Sequence, residues 1–193
     1  MIEYSHSITK EQMALLPVEE YKGRVIVVDT KKDASRAVEY LSKFTQVGFD
    51  TETRPSFKKG QRFKIALMQI STDEVCFLFR LNRIGIPADL EAFLSNKDIL
   101  KIGLSLRDDF GAIKKRTDIE PANFLDLQNY VKQFAIEDAS LQKIYAILFG
   151  KKISKGQRLT NWEADALSDS QKKYAALDAW ACLKIYNQLN QNK

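Results

Sequence analysis

The sequence predicts an α/β fold, a mixed central β-sheet with α-helices on both faces. Two observations lead there. Apolar, β-branched runs alternate with stretches whose apolar residues recur at helical spacing. Three strand-like runs also adjoin in close order and are followed by helix–strand units, the pattern of a mixed sheet. At 193 residues the chain is most simply one domain with a substantial core.

The elements follow in order. Gly23–Thr30 (GRVIVVDT) reads as a strand. Asp33–Phe44 reads as a helix with Ala37, Leu41 and Phe44 on one face and Asp33 as its cap. Val47–Thr53, Lys64–Ser71 (KIALMQIS) and Glu74–Leu81 (EVCFLFRL) are the three adjoining strands, the last two joined by the tight turn STDE. Asp89–Asn96 is a short helix, Ile99–Ser105 a core strand and Asp108–Arg116 a helix. Asn123–Val131 (NFLDLQNYV) begins as a further strand. Ser140–Gly150 is a helix capped by Ser140 and stopped by Gly150. Ser168–Asn190 is a long amphipathic helix in which Ser168 and Gln171 have capping-box spacing. No repeat, low-complexity segment or linker interrupts this order.

Composition removes several classes of function. Hydrophobic residues are 45% and charged residues 28%, ordinary for a soluble globular chain. No apolar run approaches the roughly 20 residues of a membrane span. The N-terminus (MIEYSHSITKEQM) lacks the basic and apolar regions of a secretory signal. Cys76 and Cys182 sit in apolar segments and read as buried free thiols, so a reducing, cytoplasmic setting is expected. The net charge is +5, but the excess is uneven. Arg54–Lys64 (RPSFKKGQRFK) holds five basic residues and no acid, and Lys151–Arg158 (KKISKGQR) holds four and no acid. Alone, such runs are usually solvated loops.

Three acidic constellations give them meaning. Asp50 and Glu52 in VGFDTETRPSF are two apart on a strand, so they share a face, where like charges are costly without a counter-ion. Asp108 and Asp109 in KIGLSLRDDFGAI follow a core strand at a helix start, where α/β sheets gather ligands; one of them suffices to cap the helix. Tyr174 and Asp178 in YAALDAW are four apart on the last helix, with Cβ atoms about 5–6 Å apart. Hard oxygen donors without His or Cys suit Mg²⁺ or Mn²⁺ and not Zn²⁺. A pair of such ions is what phosphodiester hydrolysis uses, and the basic runs beside the acids would then hold a polyanion.

Taken together, FDTET, IGLSLRDDFGAI and YAALDAWACLKIY resemble the three motifs of the DEDD superfamily of 3′→5′ exonucleases, in order and in matching context. The likeness runs from about Gly23 to Asn190, which makes residues 23–193 the expected exonuclease domain and 1–22 an N-terminal extension. Within the superfamily the chain most resembles Werner-type exonuclease domains, and more distantly ribonuclease D and the proofreading domain of DNA polymerase I. The resemblance implies a ribonuclease H-like fold. It selects Asp109 over Asp108, because an apolar residue, Ile113, follows Asp109 at the motif's spacing. It also places the chain in the tyrosine subclass: the position used by the histidine subclass is Lys173, and the one histidine, His6, lies far away.

The implied chemistry is hydrolysis of terminal phosphodiesters at a 3′ end, DNA favoured over RNA, with release of nucleoside 5′-monophosphates. Asp50, Glu52, Asp109 and Asp178 would bind two ions, Mg²⁺ or Mn²⁺, with Asp109 reaching its ion through water. Tyr174, whose side chain ordinarily titrates near 10, would orient the attacking water and not deprotonate it. Lys58, Lys59, Arg62, Lys151, Lys152, Lys155 and Arg158 are expected phosphate contacts. Met68 either contacts the terminal base or packs the core, and Trp162 either stacks on a base or packs the last helix. Gly111 departs from the Werner-type pattern, which has a bulky aromatic there. The expected partner is nucleic acid with a free 3′ end; no membrane, no attached helicase or polymerase and no obligate dimer are expected. A non-cutting 3′-end binding module, ribonuclease D-like RNA processing and a small-molecule phosphatase are the alternatives.

Overall fold

The computed structural model describes residues 3–58, 60, 61 and 63–191. In chain order the elements are α1 (Lys10–Ala14), β1 (Arg24–Val28), α2 (Lys31–Leu41), β2 (Gln46–Thr53), β3 (Ile65–Ser71), β4 (Val75–Phe79), α3 (Leu81–Ile84), α4 (Ala88–Ser95), β5 (Leu100–Gly103), α5 (Leu106–Lys114), β6 (Phe124–Asp126), α6 (Leu127–Tyr130), α7 (Leu141–Phe149) and α8 (Asp169–Gln191). The strands form one six-stranded sheet in the order β1-β4-β3-β2-β5-β6. β3 is antiparallel to both of its neighbours, and the other adjacent pairs are parallel. The mixed sheet expected from the three adjoining strands is therefore present.

Each face of the sheet buries its own apolar cluster. On one side Ala175, Ala176, Ala179, Cys182 and Leu183 of α8 pack with Leu67, Leu78 and Ile102 of the sheet. On the other, Ala34, Ala37, Val38 and Leu41 of α2 join Phe49, Met68, Ile70 and Phe79, together with α4 and α5. Strand alternation does the sorting: Val47 and Phe49 of β2 enter the second cluster, so Asp50 and Glu52 turn toward α8. At full burial each Leu, Val or Phe contributes about 1.5–3 kcal/mol, which makes both clusters strong constraints on where the acids lie.

One glycine sets the approach of α8. A Cβ at Gly48 would overlap the Ala179 carbonyl oxygen, so the helix backbone lies directly on the strand two residues from Asp50. The neighbouring Ala175, Ala176 and Ala179 keep the helix face thin where it crosses. Gly48→Ala is expected to push α8 away from β2. Overpacking of this kind costs about 1–3 kcal/mol, and a shift of about 1 Å at the site costs on the order of 10²-fold in turnover. Thermal unfolding and oligonucleotide hydrolysis measured on the same preparation check this; normal values in both would show that the helix has room.

Helix ends differ from the sequence reading in informative ways. The cap of α2 is Thr30 and not Asp33: the Thr30 hydroxyl accepts the Asp33 N–H at 3.1 Å. Helix α5 starts at Leu106, ahead of the two aspartates, with Ser105 in a left-handed conformation at φ 59°. The run expected as strand from Asn123 pairs only over Phe124–Asp126 and then turns helical. The other expected caps are in place. Ser140 accepts the Lys143 N–H, and Gly150 closes α7 at φ 61°. Ser168 and Gln171 form the reciprocal capping pair of α8 at 3.2 and 3.0 Å.

Candidate active site

Strand β2 and helix α8 bring three carboxylates together. Oxygens of Asp50, Glu52 and Asp178 all lie within 4.8 Å of one another. They share a cleft of about 380 Å³ with Tyr174, Lys155 and Arg158. Asp178 is only 5% exposed, and its Oδ1 has no hydrogen-bond partner among the described residues. Asp50 and Glu52 are half-buried. The β2–β3 register slips between Glu52 and Thr53, a bulge that ends regular pairing just past the second acid.

Crowding and burial hold these groups far from ordinary carboxylate behaviour. Desolvation, followed by the charges of Asp178, Glu52 and Asp109, pushes Asp50 well above its usual range. Glu52 is raised to about 8, by burial first and then Asp178, with Arg158 opposing. Asp178 is raised to about 7 by burial, with the Tyr174 hydroxyl and Lys155 opposing. Three like-charged groups in one recess favour the protonated forms until a cation arrives. The donor set is all oxygen, convergent and partly unsatisfied, and it fits a hard divalent ion.

Asp109 stands apart from the three. Its carboxylate accepts the hydroxyl of Thr51, the residue between Asp50 and Glu52 on the opposite face of β2. Burial raises it to about 6, with that hydrogen bond opposing. It remains close enough for its charge to act on both Asp50 and Glu52. Asp126 in turn holds the start of α5, accepting the Ser105 and Leu106 N–H groups at 3.0 Å each. Sequence reasoning missed Thr51 and Asp126. The signal for Asp126 was an acid ending the apolar run NFLD just where a ligand-bearing strand end was expected; Thr51 carried none.

Tyr174 is nearly buried, its ring 6.0 Å from that of Trp162. Burial, then the charges of Asp178 and Glu52, pushes its phenol well above the usual tyrosine value. The phenol therefore keeps its proton in the fold and has Asp178 as its hydrogen-bond partner.

The structure divides the expected substrate contacts. Lys155 and Arg158 line the acidic cleft. Lys151 and Lys152 do not: Lys151 binds Glu19 Oε1 at 3.1 Å and Lys152 binds the Ala14 carbonyl at 2.6 Å, so both secure the N-terminal segment. Lys58 lines a neighbouring recess. Lys59 and Arg62 lie outside the described residues. Met68 pairs with Thr51, which turns it to the face away from the acids, and it is fully buried in the core. Trp162 is also fully buried. Both side chains are thus packed in the core, the second of the two readings open to each from the sequence. A Cβ at Gly111 would meet nothing within 4 Å. Cys76 and Cys182 are free and buried, and His6 is exposed beside Glu137.

A family profile described as 3′-5′ exonuclease matches residues 25–192. The chain belongs to the 3′-5′ exonuclease family. These are hydrolases acting on phosphodiester bonds. A mouse relative, the bifunctional 3′-5′ exonuclease/ATP-dependent helicase WRN, is 32% identical over 184 residues, covering 90% of this chain and 13% of that protein. An Arabidopsis thaliana 3′-5′ exonuclease is 31% identical over 169 residues, covering 84% of this chain and 56% of its own length. The chain thus spans only part of either relative. Trypanosoma brucei RNase D, solved in complex with RNA U12, superposes with a TM-score of 0.79 at 24% identity, covering 89% of this chain and 64% of that one. This last likeness establishes the family fold. Among the described residues no helix is long and apolar enough to cross a membrane.

Proposed function

We propose that the chain is a metal-dependent 3′→5′ exonuclease that removes nucleoside 5′-monophosphates from nucleic acid, with DNA preferred over RNA. The observation that carries this is the convergence of Asp50, Glu52 and Asp178 within 4.8 Å, in one cleft with Lys155 and Arg158. Acids and bases in one recess suit a phosphodiester: the cations hold phosphate, and the acids hold metal. Asp50, Glu52 and Asp178 would bind the ions, a pair of Mg²⁺ or Mn²⁺, with Asp109 joining from the Thr51 side. When bound, such ions lower the pKa of water and neutralise charge on the phosphoryl group. Lys155 and Arg158 position the terminal phosphodiester against the acids. Tyr174 keeps its proton and donates it in a hydrogen bond, orienting the water or the phosphate without accepting a proton.

The DNA preference is supported by the 32% identity to a helicase-linked exonuclease. RNA is the second reading, supported by the fold shared with an RNase D solved with RNA. Digestion of matched single-stranded DNA, recessed duplex DNA and RNA, each labelled at the 5′ end, with Mg²⁺ or Mn²⁺, separates the readings. A ladder shortening from the 3′ end supports exonuclease action, and its rate on each polymer ranks the substrates. Binding without shortening would leave only a 3′-end binding module.

Tyr174→Phe tests the donor role. Loss of an orienting hydrogen bond is expected to lower kcat about 10- to 100-fold, while Mn²⁺ affinity by calorimetry stays nearly constant. An unchanged kcat would remove Tyr174 from the mechanism.

A further inference from the structure

Lys155 and Arg158 reach the acidic cleft from a loop in which Ser154, Lys155, Gly156 and Arg158 are all exposed. Packing does not place these residues, so the ends of the loop must. Both ends are tied to α8, the helix that carries Tyr174 and Asp178. At the exit the tie is direct: the Gln171 amide donates to the Thr160 hydroxyl at 3.0 Å and to the Asn161 carbonyl at 3.3 Å. At the entry it is indirect and runs through Glu19 of the N-terminal segment.

Three links make the entry tie. Along the backbone, the Lys152 N–H donates to the Pro17 carbonyl at 2.9 Å and the Glu19 N–H donates to the Lys152 carbonyl at 2.8 Å, a parallel bridge at Val18 and Lys152. Between side chains, Lys151 donates to Glu19 Oε1 at 3.1 Å. On its other side, Glu19 Oε2 accepts the Tyr145 hydroxyl of α7 at 2.7 Å and faces the Lys184 ammonium of α8 at 3.5 Å. Lys184 is itself fixed above the rings of Trp180 at 4.5 Å, Phe149 at 4.6 Å and Tyr145 at 5.4 Å. Glu19 is only 6% exposed, a depth at which a carboxylate is kept only when paired. Burial opposes its ionisation, but the hydrogen bonds from Tyr145 and Lys151 hold it at about 2, so it is charged at neutral pH. The anchor thus stands between two ammonium groups that repel each other without it.

We infer that Glu19 is a positioning residue: by joining the entry of the Lys151–Arg158 loop to α8, it holds Lys155 and Arg158 over Asp50, Glu52 and Asp178. The loop stands close to those acids, since the charge of Lys155 acts on Asp178 and that of Arg158 on Glu52. Withdrawal of the Glu19 charge leaves Lys151 and Lys184 without their shared counter-ion. Lys184 stays among its three rings, so Lys151 swings away and takes the loop entry with it. The inference rests on the exonuclease reading for what the two cations grip, but the grip is measured without cutting.

The test uses Glu19→Gln, which keeps the volume and removes the charge, and Tyr145→Phe, which removes one donor to Glu19 with no change of charge. Affinity for a labelled single-stranded 12-mer is read by fluorescence anisotropy in chelator across a salt series. On charge alone, loss of a carboxylate tightens the hold on a polyanion; loss of the anchor does the reverse. Glu19→Gln is expected to weaken 12-mer binding about fivefold and to lower the salt slope by about 1, the signature of one lost phosphate contact. Tyr145→Phe moves both in the same direction. In a Lys155→Ala/Arg158→Ala background Glu19→Gln adds nothing, because the groups that it positions are gone. With Mn²⁺ present, Glu19→Gln raises KM for the 12-mer by more than it lowers kcat, and Mn²⁺ affinity by calorimetry stays nearly constant. Binding unchanged or tightened in Glu19→Gln, or a full further loss in the Lys155→Ala/Arg158→Ala background, would overturn the positioning role. Should Glu19→Gln melt below the assay temperature, Tyr145→Phe decides by the same two criteria. Absence of 12-mer binding by the unsubstituted protein would overturn the role as well. Binding without shortening of the 12-mer in Mn²⁺ would defeat the exonuclease reading instead, and the affinity comparison would still decide the role of Glu19.

Discussion

Asp178→Asn is expected to abolish hydrolysis and, in the same protein, to raise the melting temperature of the metal-free form. The two effects share one cause. Asp178 is 5% exposed, one of its oxygens is buried without a hydrogen-bond partner among the described residues, and two other carboxylates lie within 4.8 Å. Without metal, its ionised form is opposed by burial, which Lys155 and the Tyr174 hydroxyl offset only in part, and its charge in turn opposes ionisation of Asp50 and Glu52. An asparagine has nearly the same shape, carries no charge and can donate its amide hydrogens to Asp50 or Glu52. Relief of one such repulsion is on the order of 1–2 kcal/mol, or about 2–8 °C for a chain of this size. The same change removes a metal ligand, and loss of charge stabilisation at the reacting phosphate costs at least about 10²–10³-fold in turnover. Scanning calorimetry in chelator and a 3′-end digestion assay read both. A fall in melting temperature with activity retained would mean that Asp178 serves the core and not a metal. Asp109→Asn should stabilise less, because Thr51 already donates a hydrogen bond to that carboxylate.

The site was legible where its logic is local. Alternation along β2 put Asp50 and Glu52 on one face, and i, i+4 spacing put Tyr174 beside Asp178; both hold because backbone geometry fixes them. The capping pair at Ser168 and the glycine stop at Gly150 were readable for the same reason. Long-range matters were not. Nothing near Lys151 in sequence reveals that Glu19, 132 residues away, will claim it. Nothing near Asp109 names Thr51, 58 residues away, as its donor. Trp162 lies in a polar, basic stretch that reads as a loop beside substrate, yet its ring is fully buried against Tyr174. Composition tells which side chains have the chemistry for a role, but packing decides which of them are free to perform it.

Stability of the metal-free protein is expected to fall as pH rises from about 5 to 8, against the usual behaviour of carboxylates, and divalent metal is expected to reverse that slope. In the fold Asp50 is raised, Glu52 is raised to about 8 and Asp178 to about 7, each from a value near 4. A carboxyl whose folded pKa is raised stabilises the fold fully below its unfolded pKa and loses that contribution as pH climbs through the folded value. Each proton retained by the native state alone is worth up to about 1.4 kcal/mol per pH unit. The openness of Asp50 and Glu52 to the cleft keeps the real slope below that bound. Glu19 acts in the opposite sense. Burial opposes its ionisation, but hydrogen bonds from Tyr145 and Lys151 outweigh this and hold it down at about 2, so its contribution is present above about 4.5 and lost in acid. A stability maximum near pH 5 follows, below the range in which the buried Lys101, lowered to about 8, gives up its proton. Metal must displace the retained protons to bind, so its stabilisation is small at pH 5 and grows toward pH 8. At a hundredfold excess over Kd that stabilisation reaches about 2.7 kcal/mol. Calorimetric melting at pH 5, 6.5 and 8, with chelator or with saturating Mn²⁺, measures the two slopes directly. A metal-free melting temperature that rises across this window, or a Mn²⁺ shift independent of pH, would show that the three carboxylates are ionised and apart without metal, and that the cleft is not built around a cation.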